Sequence, residues 1–171
     1  MALLEFDIRK PVINKVFNID YGSTGLTDYL NKTETDLSKI SYTIEEIPSL
    51  HFFPSGSISM NPADLLLSDN LKSLFTTLKE EYEYIIIDSP PVGLVSDSLM
   101  LSEYCDMVLF IVRQKKTLKK NLNIIKNLGL NKSFSKIGLI LNDTRNGDKA
   151  GYKNYEEAYG KHLESIAKNK A

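Results

Sequence analysis

Apolar residues in this chain cluster into short runs separated by stretches of helical spacing. Ala2 to Phe6, Leu50 to Phe53, Tyr84 to Ile87, Met107 to Val112 and Ile137 to Leu141 read as buried strands. The last three are nearly continuous Ile, Leu and Val, the pattern of strands covered on both faces in a parallel sheet. Leu71, Leu74, Phe75 and Leu78 follow the spacing of one helix face, with Ser68 placed to cap it. Leu118, Leu122, Ile125 and Leu128 form a second stripe, which Gly129 is expected to stop. Val95 to Tyr104 is a shorter third helix candidate with Ser96 as its cap. Segment 10–49 is less regular: a short helix near Leu26 to Leu30, then a polar loop around Asn31 to Lys39.

Strands alternating with helices predict an α/β, doubly wound, mostly parallel sheet with right-handed crossovers. Residues 1–145 form that domain. Residues 146–171 differ, because Gly147 and Gly151 break the chain before a polar stretch carrying Tyr152, Tyr155 and Tyr159. We read this stretch as a tail, helical after Asn154. No internal repeat is visible.

Composition narrows the function classes. Twenty-one basic and 22 acidic residues give a net charge of -1, so no bulk electrostatic grip on nucleic acid is implied. Cys105 is the single cysteine, which excludes an intrachain disulfide and a multi-cysteine metal cluster; its apolar surroundings suit a small buried residue. His51 and His162 lie far apart in sequence, which argues against a histidine metal site. No apolar run approaches the ~20 residues that span a bilayer, and the chain reads as soluble.

Candidate chemistry lies just past the strand ends, where open parallel sheets bind ligands. Asp7, Arg9 and Lys10 follow the first strand; Asp88 follows Tyr84 to Ile87; Arg113 follows Met107 to Val112; Asn142 and Asp143 follow Ile137 to Leu141. Strands also end in polar residues simply because loops are wet. If all these strands are parallel, however, two carboxylates, two guanidinium groups and an amide share one rim. Only three arginines exist, Arg9, Arg113 and Arg145, and two of them follow strands. Carboxylates for a metal and planar guanidinium forks for phosphate suit a Mg²⁺-nucleotide. Four apolar residues and then Asp88 is the Walker B pattern, in which the carboxylate holds Mg²⁺ directly or through water.

These residues resemble the cytoplasmic catalytic domain of bacterial tyrosine kinases, autophosphorylating ATPases of capsule and exopolysaccharide export. Ala2-Leu-Leu-Glu-Phe-Asp-Ile-Arg-Lys-Pro11 is similar to that family's apolar strand followed by D-x-D-x-R. Gly25-Leu-Thr-Asp-Tyr-Leu30 is similar to its GL-S/T-D-x-L helix. Leu50-His-Phe-Phe-Pro-Ser-Gly56, with Asn61-Pro-Ala-Asp-Leu-Leu-Leu-Ser68, resembles its LPSG…NPxELLxS stretch. Tyr84-Ile-Ile-Ile-Asp-Ser-Pro-Pro-Val92, Phe110-Ile-Val-Arg113 and Gly138-Leu-Ile-Leu-Asn142 match later strands.

The resemblance implies a P-loop NTPase-like domain, related to MinD and ParA, that uses ATP and Mg²⁺. Asp7 and Asp88 would organise the metal, Asn142 would recognise adenine, and Arg9 and Lys10 would lie near the phosphates or the incoming tyrosine. Arg113 would add cofactor contacts. Glu5 stands where the family has the Asp proposed to take the tyrosine proton. Tyr152, Tyr155 and Tyr159 would be the phosphoacceptors, modified in trans by other copies of the chain in a ring-like oligomer. Polysaccharide export and polymerase proteins and a membrane-anchored activator segment are the further partners implied, with no nucleic acid. The location implied for the full-length protein is the cytoplasmic side of the bacterial inner membrane.

The family's phosphate-cradling P-loop precedes the Asp7 motif, and Gly22-Ser-Thr-Gly25 is no substitute, since it follows no strand and lacks the lysine. The strand Ala2 to Phe6 would thus be the fold's second strand, and the domain N-terminally truncated. The chain alone is then expected to be inactive, to expose apolar sheet edges, and to be poorly soluble or marginally stable. Two alternatives remain: a MinD/ParA-type ATPase, and a non-enzymatic regulatory remnant of polysaccharide assembly.

Overall fold

The computed structural model describes residues 1–17, 19, 24–57, 61–91, 97–130, 134 and 136–144. Strand β1 (Ala2–Glu5) leads through a turn to the short helix α1 (Ile13–Val16). Helix α2 (Leu26–Leu30), a 3-10 turn (Leu37–Ile40) and the hairpin β2 (Tyr42–Ile44) and β3 (Ile47–Phe53) follow. Then come α3 (Pro62–Leu66), α4 (Asp69–Glu81), β4 (Ile85–Asp88), α5 (Asp97–Leu101), a second 3-10 turn (Ser102–Tyr104), β5 (Val108–Arg113), α6 (Lys119–Leu130) and β6 (Ile137–Asn142).

The strands form two sheets: a four-stranded one in the order β2-β3-β1-β4, and the pair β5-β6. β1 runs parallel to both its neighbours, and β5 runs parallel to β6. β2 is antiparallel to β3. The expected single rim is therefore divided. Asp7 and Asp88 belong to the larger sheet, whereas Arg113 and Asn142 pair side by side at the end of the smaller one.

Alternation along β1 and β3 divides the larger sheet's two faces. Ala2, Leu4 and Phe53 join Phe6, Ile8, Leu26, Leu30, Leu65, Leu66, Leu101 and all four stripe residues of α4 in one cluster. Leu50, Phe52 and Ile44 pack on the opposite face with Leu3, Ile13, Phe17 and Ile19. Helix cover on one face and the α1 segment on the other explain why these strands read as apolar throughout. Phe75 lies between two rings, with centroids 6.1 Å from Phe6 and 4.5 Å from Tyr104.

The smaller sheet has less cover. Ile111 is 66% exposed and Leu139 61%, and Ile86 on β4 is 49% exposed. Exposed apolar side chains on β4, β5 and β6 depart from the expectation of strands covered on both faces: neither core cluster takes a buried residue from β5 or β6, and only Ile85 and Ile87 of β4 pack against one. Helix α6 runs through Gly129 rather than stopping there, and Leu118 and Leu122 of its stripe stay exposed. The Val95 to Tyr104 candidate resolves into α5 and a 3-10 turn; Ser96, its candidate cap, lies outside the described residues. Among the described residues no helix is long and apolar enough to cross a membrane.

Two of the sequence motifs dock on one another. The amides of Leu26 and Thr27 donate to the carbonyls of Pro54 and Ser55 at 2.8 and 2.9 Å, and the Thr27 hydroxyl donates to the Ser57 carbonyl at 3.0 Å. This approach requires glycine. A Cβ on Gly25 would sit 2.4 Å from both the Gly56 nitrogen and the Pro54 oxygen, which are backbone atoms that cannot rotate away. Gly56 itself has φ +83, in the left-handed region that favours glycine. A Cβ on Gly129 meets only the Ile137 Cδ1 at 3.4 Å. Gly25→Ala is therefore expected to lower stability by about 1–3 kcal/mol. Gly129→Ala should raise it by up to about 1 kcal/mol through helix propensity. Urea unfolding of both variants measures the contrast.

Candidate functional site

The β1–β4 register places Glu5 opposite Asp88, and the ladder continues with the Phe6 amide donating to the Asp88 carbonyl at 2.8 Å. Asp7 follows on the exit of β1, so two carboxylates leave the carboxyl ends of adjacent parallel strands. The turn after Asp7 is locally determined, because the Lys10 amide donates to both the Asp7 carbonyl and Asp7 Oδ1 at 3.1 Å.

Glu5 is completely buried. Its Oε1 accepts from the amides of Val12 at 2.7 Å and Ile13 at 2.6 Å, and its Oε2 accepts from the Ser55 amide at 3.5 Å. One carboxylate thus joins the end of β1, the start of α1 and the exit of β3. Unpaired N–H groups at a helix start are satisfied here by an acid brought from a neighbouring strand.

Asp88 holds its proton more tightly than an ordinary carboxyl. Burial is the main cause, and the negative charges of Asp7 and Glu5 add to it. This excess of negative charge is what a divalent cation relieves. Among the described residues no three His, Cys, Asp or Glu side chains converge as a metal cage. The pair Asp7 and Asp88 still fits Mg²⁺, which is commonly held by one or two carboxylates, with water and phosphate oxygens completing its shell.

Arg9 follows Asp7 by two residues and forms an ion pair that the sequence reading did not foresee. Its Nε donates to Asp97 Oδ2 at 3.1 Å and its Nη2 to Asp97 Oδ1 at 3.4 Å. Asp97 is 3% exposed. An acid at a helix start normally reads as a cap, and its partner is 88 residues away, so no local signal marks it. Lys10 is exposed.

At the end of the smaller sheet Arg113 Nη2 donates to Asp143 Oδ2 at 3.1 Å, between exposed side chains. Asn142 Oδ1 accepts from the Asp143 amide at 2.7 Å. Tyr152, Tyr155, Tyr159, Arg145 and His162 lie outside the described residues, as does the tail 146–171. Cys105 is half-buried, and burial pushes its thiol up, so it rests as a protonated, poorly nucleophilic group. His51 Nδ1 lies 2.6 Å from the Tyr82 hydroxyl, with the rings edge-on, a packing role.

Carboxylates at adjacent strand ends of a mostly parallel sheet with helix cover place the chain in the α/β class, and its structural neighbours share the P-loop NTPase fold. No protein-family model matches the chain. It is 34% identical over 160 residues to the tyrosine-protein kinase CpsD of Streptococcus agalactiae, covering 93% of this chain and 68% of that protein. It is 34% identical over 152 residues to the tyrosine-protein kinase ptk of Acinetobacter johnsonii, covering 89% of this chain and 20% of that protein. Among solved structures, the VpsO kinase domain superposes with a TM-score of 0.76 at 32% identity, covering 84% of this chain and 70% of that one. The chain belongs to the bacterial tyrosine-protein kinase family. The septum site-determining protein MinD of Pyrococcus horikoshii, complexed with Mg-ADP, shares only the fold, at 17% identity and a TM-score of 0.63 over 82% of this chain and 56% of that one.

A carboxyl whose proton affinity is raised on folding destabilises the folded state once it ionises. Asp88→Asn should therefore raise the melting temperature at neutral pH. The difference from wild type should shrink below the ordinary carboxylate range, where Asp88 is protonated in both states. Thermal melts of both proteins at pH 3.5 and 7.5 measure it.

Proposed function

We propose that this chain carries much of the catalytic domain of a protein-tyrosine autokinase, which transfers the γ-phosphoryl group of Mg²⁺-ATP to tyrosine. The observation that carries the reading is the placing of Asp7 and Asp88 at the exits of the adjacent strands β1 and β4, where burial first and then the charges of Asp7 and Glu5 raise the proton affinity of Asp88. In this reading both carboxylates hold Mg²⁺, which would neutralise charge developing on the transferred group. Arg9 and Lys10 face the phosphate chain. Asn142 supplies an amide donor and acceptor for adenine, beside Arg113 as a further phosphate contact.

Glu5 takes a different part from the one its motif position implies. Its carboxylate is buried and holds three backbone amides, so it shapes the turn carrying Asp7 and Arg9 and adds negative charge beneath Asp88. Proton removal from a tyrosine hydroxyl then falls to a group other than Glu5. Tyr152, Tyr155 and Tyr159 are the acceptors, modified by neighbouring copies at the cytoplasmic face of the membrane. A membrane-anchored activator and the polysaccharide polymerase and export proteins are its partners.

The chain spans about one-fifth of the ptk protein and about two-thirds of the CpsD protein, so the test uses the complete protein. Incubation with Mg²⁺-ATP followed by phosphopeptide mass spectrometry should find phosphate on the tail tyrosines. Asp88→Asn should reduce it by about 10²-fold or more, the scale for losing a positioned charge contact. Nucleotide binding without tyrosine phosphorylation would refute the kinase reading.

A further inference from the structure

The ion pair between Arg9 and Asp97 differs from the other two described. Lys39–Glu34 and Arg113–Asp143 join side chains that solvent reaches on both partners, with side-chain exposures of 61% and 22%, and 56% and 43%. In the Arg9–Asp97 pair the carboxylate side chain is 4% exposed and the guanidinium 45%. A buried acid therefore grips the base of a half-exposed cation. The grip uses both carboxylate oxygens and one edge of the guanidinium, its Nε and Nη2. This bidentate contact fixes the plane as well as the position of the group.

The edge left over is chemically defined. A guanidinium has five N–H bonds, and the Nε–Nη2 edge takes two of them. The Nη1 amino group has no partner among the described residues, and together with the remaining Nη2 hydrogen it forms a second fork. That fork matches two oxygens of a phosphate group. Asp97 is also tied to the metal-carboxylate strand: it starts α5, whose next residue, Ser98, donates its hydroxyl to the carbonyl of Pro90, two residues beyond Asp88. Arg9, Asp97 and the exit of β4 are thus held as one unit.

We propose that Asp97 is a positioning residue that locks the Arg9 guanidinium so that its free fork receives the phosphate chain beside Asp7 and Asp88. This rests on the nucleotide reading and adds a residue to it. A rim with three carboxylates repels a polyphosphate. A cation there contributes most if its side-chain freedom is lost before the ligand arrives, and a buried bidentate acid removes that freedom in advance. Asp97 touches no ligand and acts through Arg9.

The test uses the complete protein, as the kinase test does, with Mg²⁺-tripolyphosphate and Mg²⁺-ADP as probes. Titration calorimetry gives affinities, and ¹⁵N-detected NMR of the Arg9 Nε–H reports whether the guanidinium is fixed. Asp97→Asn keeps the shape and removes the charge and one acceptor. It should weaken both probes by about tenfold, the scale of one charge-assisted hydrogen bond. The Arg9 signal should become averaged, and affinity for Mg²⁺ alone should stay unchanged. In an Arg9→Ala background the same change should have no further effect. A merely structural Asp97 would weaken Mg²⁺ and phosphate together, or act equally with Arg9 absent, and either result overturns the proposal. Unchanged binding by Asp97→Asn overturns it alone, whereas a complete wild-type protein that binds neither probe overturns the nucleotide reading with it. If Asp97→Asn fails to fold, Arg9→Lys, with the charge but no fork, should show the same selective loss, and unchanged probe binding by that variant overturns the proposal.

Discussion

The carboxylate of Glu5, buried at the end of β1 and shared by the amides of Val12, Ile13 and Ser55, is the constraint on which the rest of the rim depends. A buried charge is costly unless its lone pairs are filled, and backbone amides from two other segments fill these. The bond to Val12 and Ile13 closes the loop containing Asp7, Arg9 and Lys10 back onto the strand it left. The bond to Ser55 brings in the exit of β3, where Gly25 and Gly56 let α2 approach backbone to backbone. Packing then holds these exits in place, since Leu4 and Phe6 on either side of Glu5 lie in the main cluster with Leu71, Leu74, Phe75 and Leu78.

The same carboxylate acts electrostatically. With Asp7 it adds to the burial that raises the proton affinity of Asp88. Ionisation of Asp88 is thereby penalised, an excess of negative charge that a divalent cation would relieve. Arg9 supplies opposite charge there without neutralising these acids, because its own partner is Asp97 on α5. Arg9 and Asp7 thus keep separate partners although they share the loop after β1.

Much of this was legible in the chain. Most long apolar runs and the α4 stripe survive as elements with shifts of one to three residues at their ends, although only β1, β3 and α4 among them supply buried residues to the core clusters. The carboxylates Asp7 and Asp88 were legible because a polar residue ending an apolar run must lie at a strand end. The β2–β3 hairpin was only half visible, since Ile47, Pro48 and Ser49 are exposed and carry no alternation. Helix α1 has no buried residue to announce it. The division into two sheets depends on which strand edges pair, and side-chain pattern does not encode that. Asp97 was invisible because its meaning lies in a contact across the fold.

The most direct test of the account replaces Mg²⁺ with Mn²⁺ in the ADP complex and maps paramagnetic broadening of backbone amides. The account predicts that residues 7–10 and 88–91 broaden first and together, and that Asp88→Asn abolishes the effect at both. Broadening centred on the surface acids Glu45 and Glu46 or Glu80 and Glu81, with residues 7–10 and 88–91 unaffected, would contradict it.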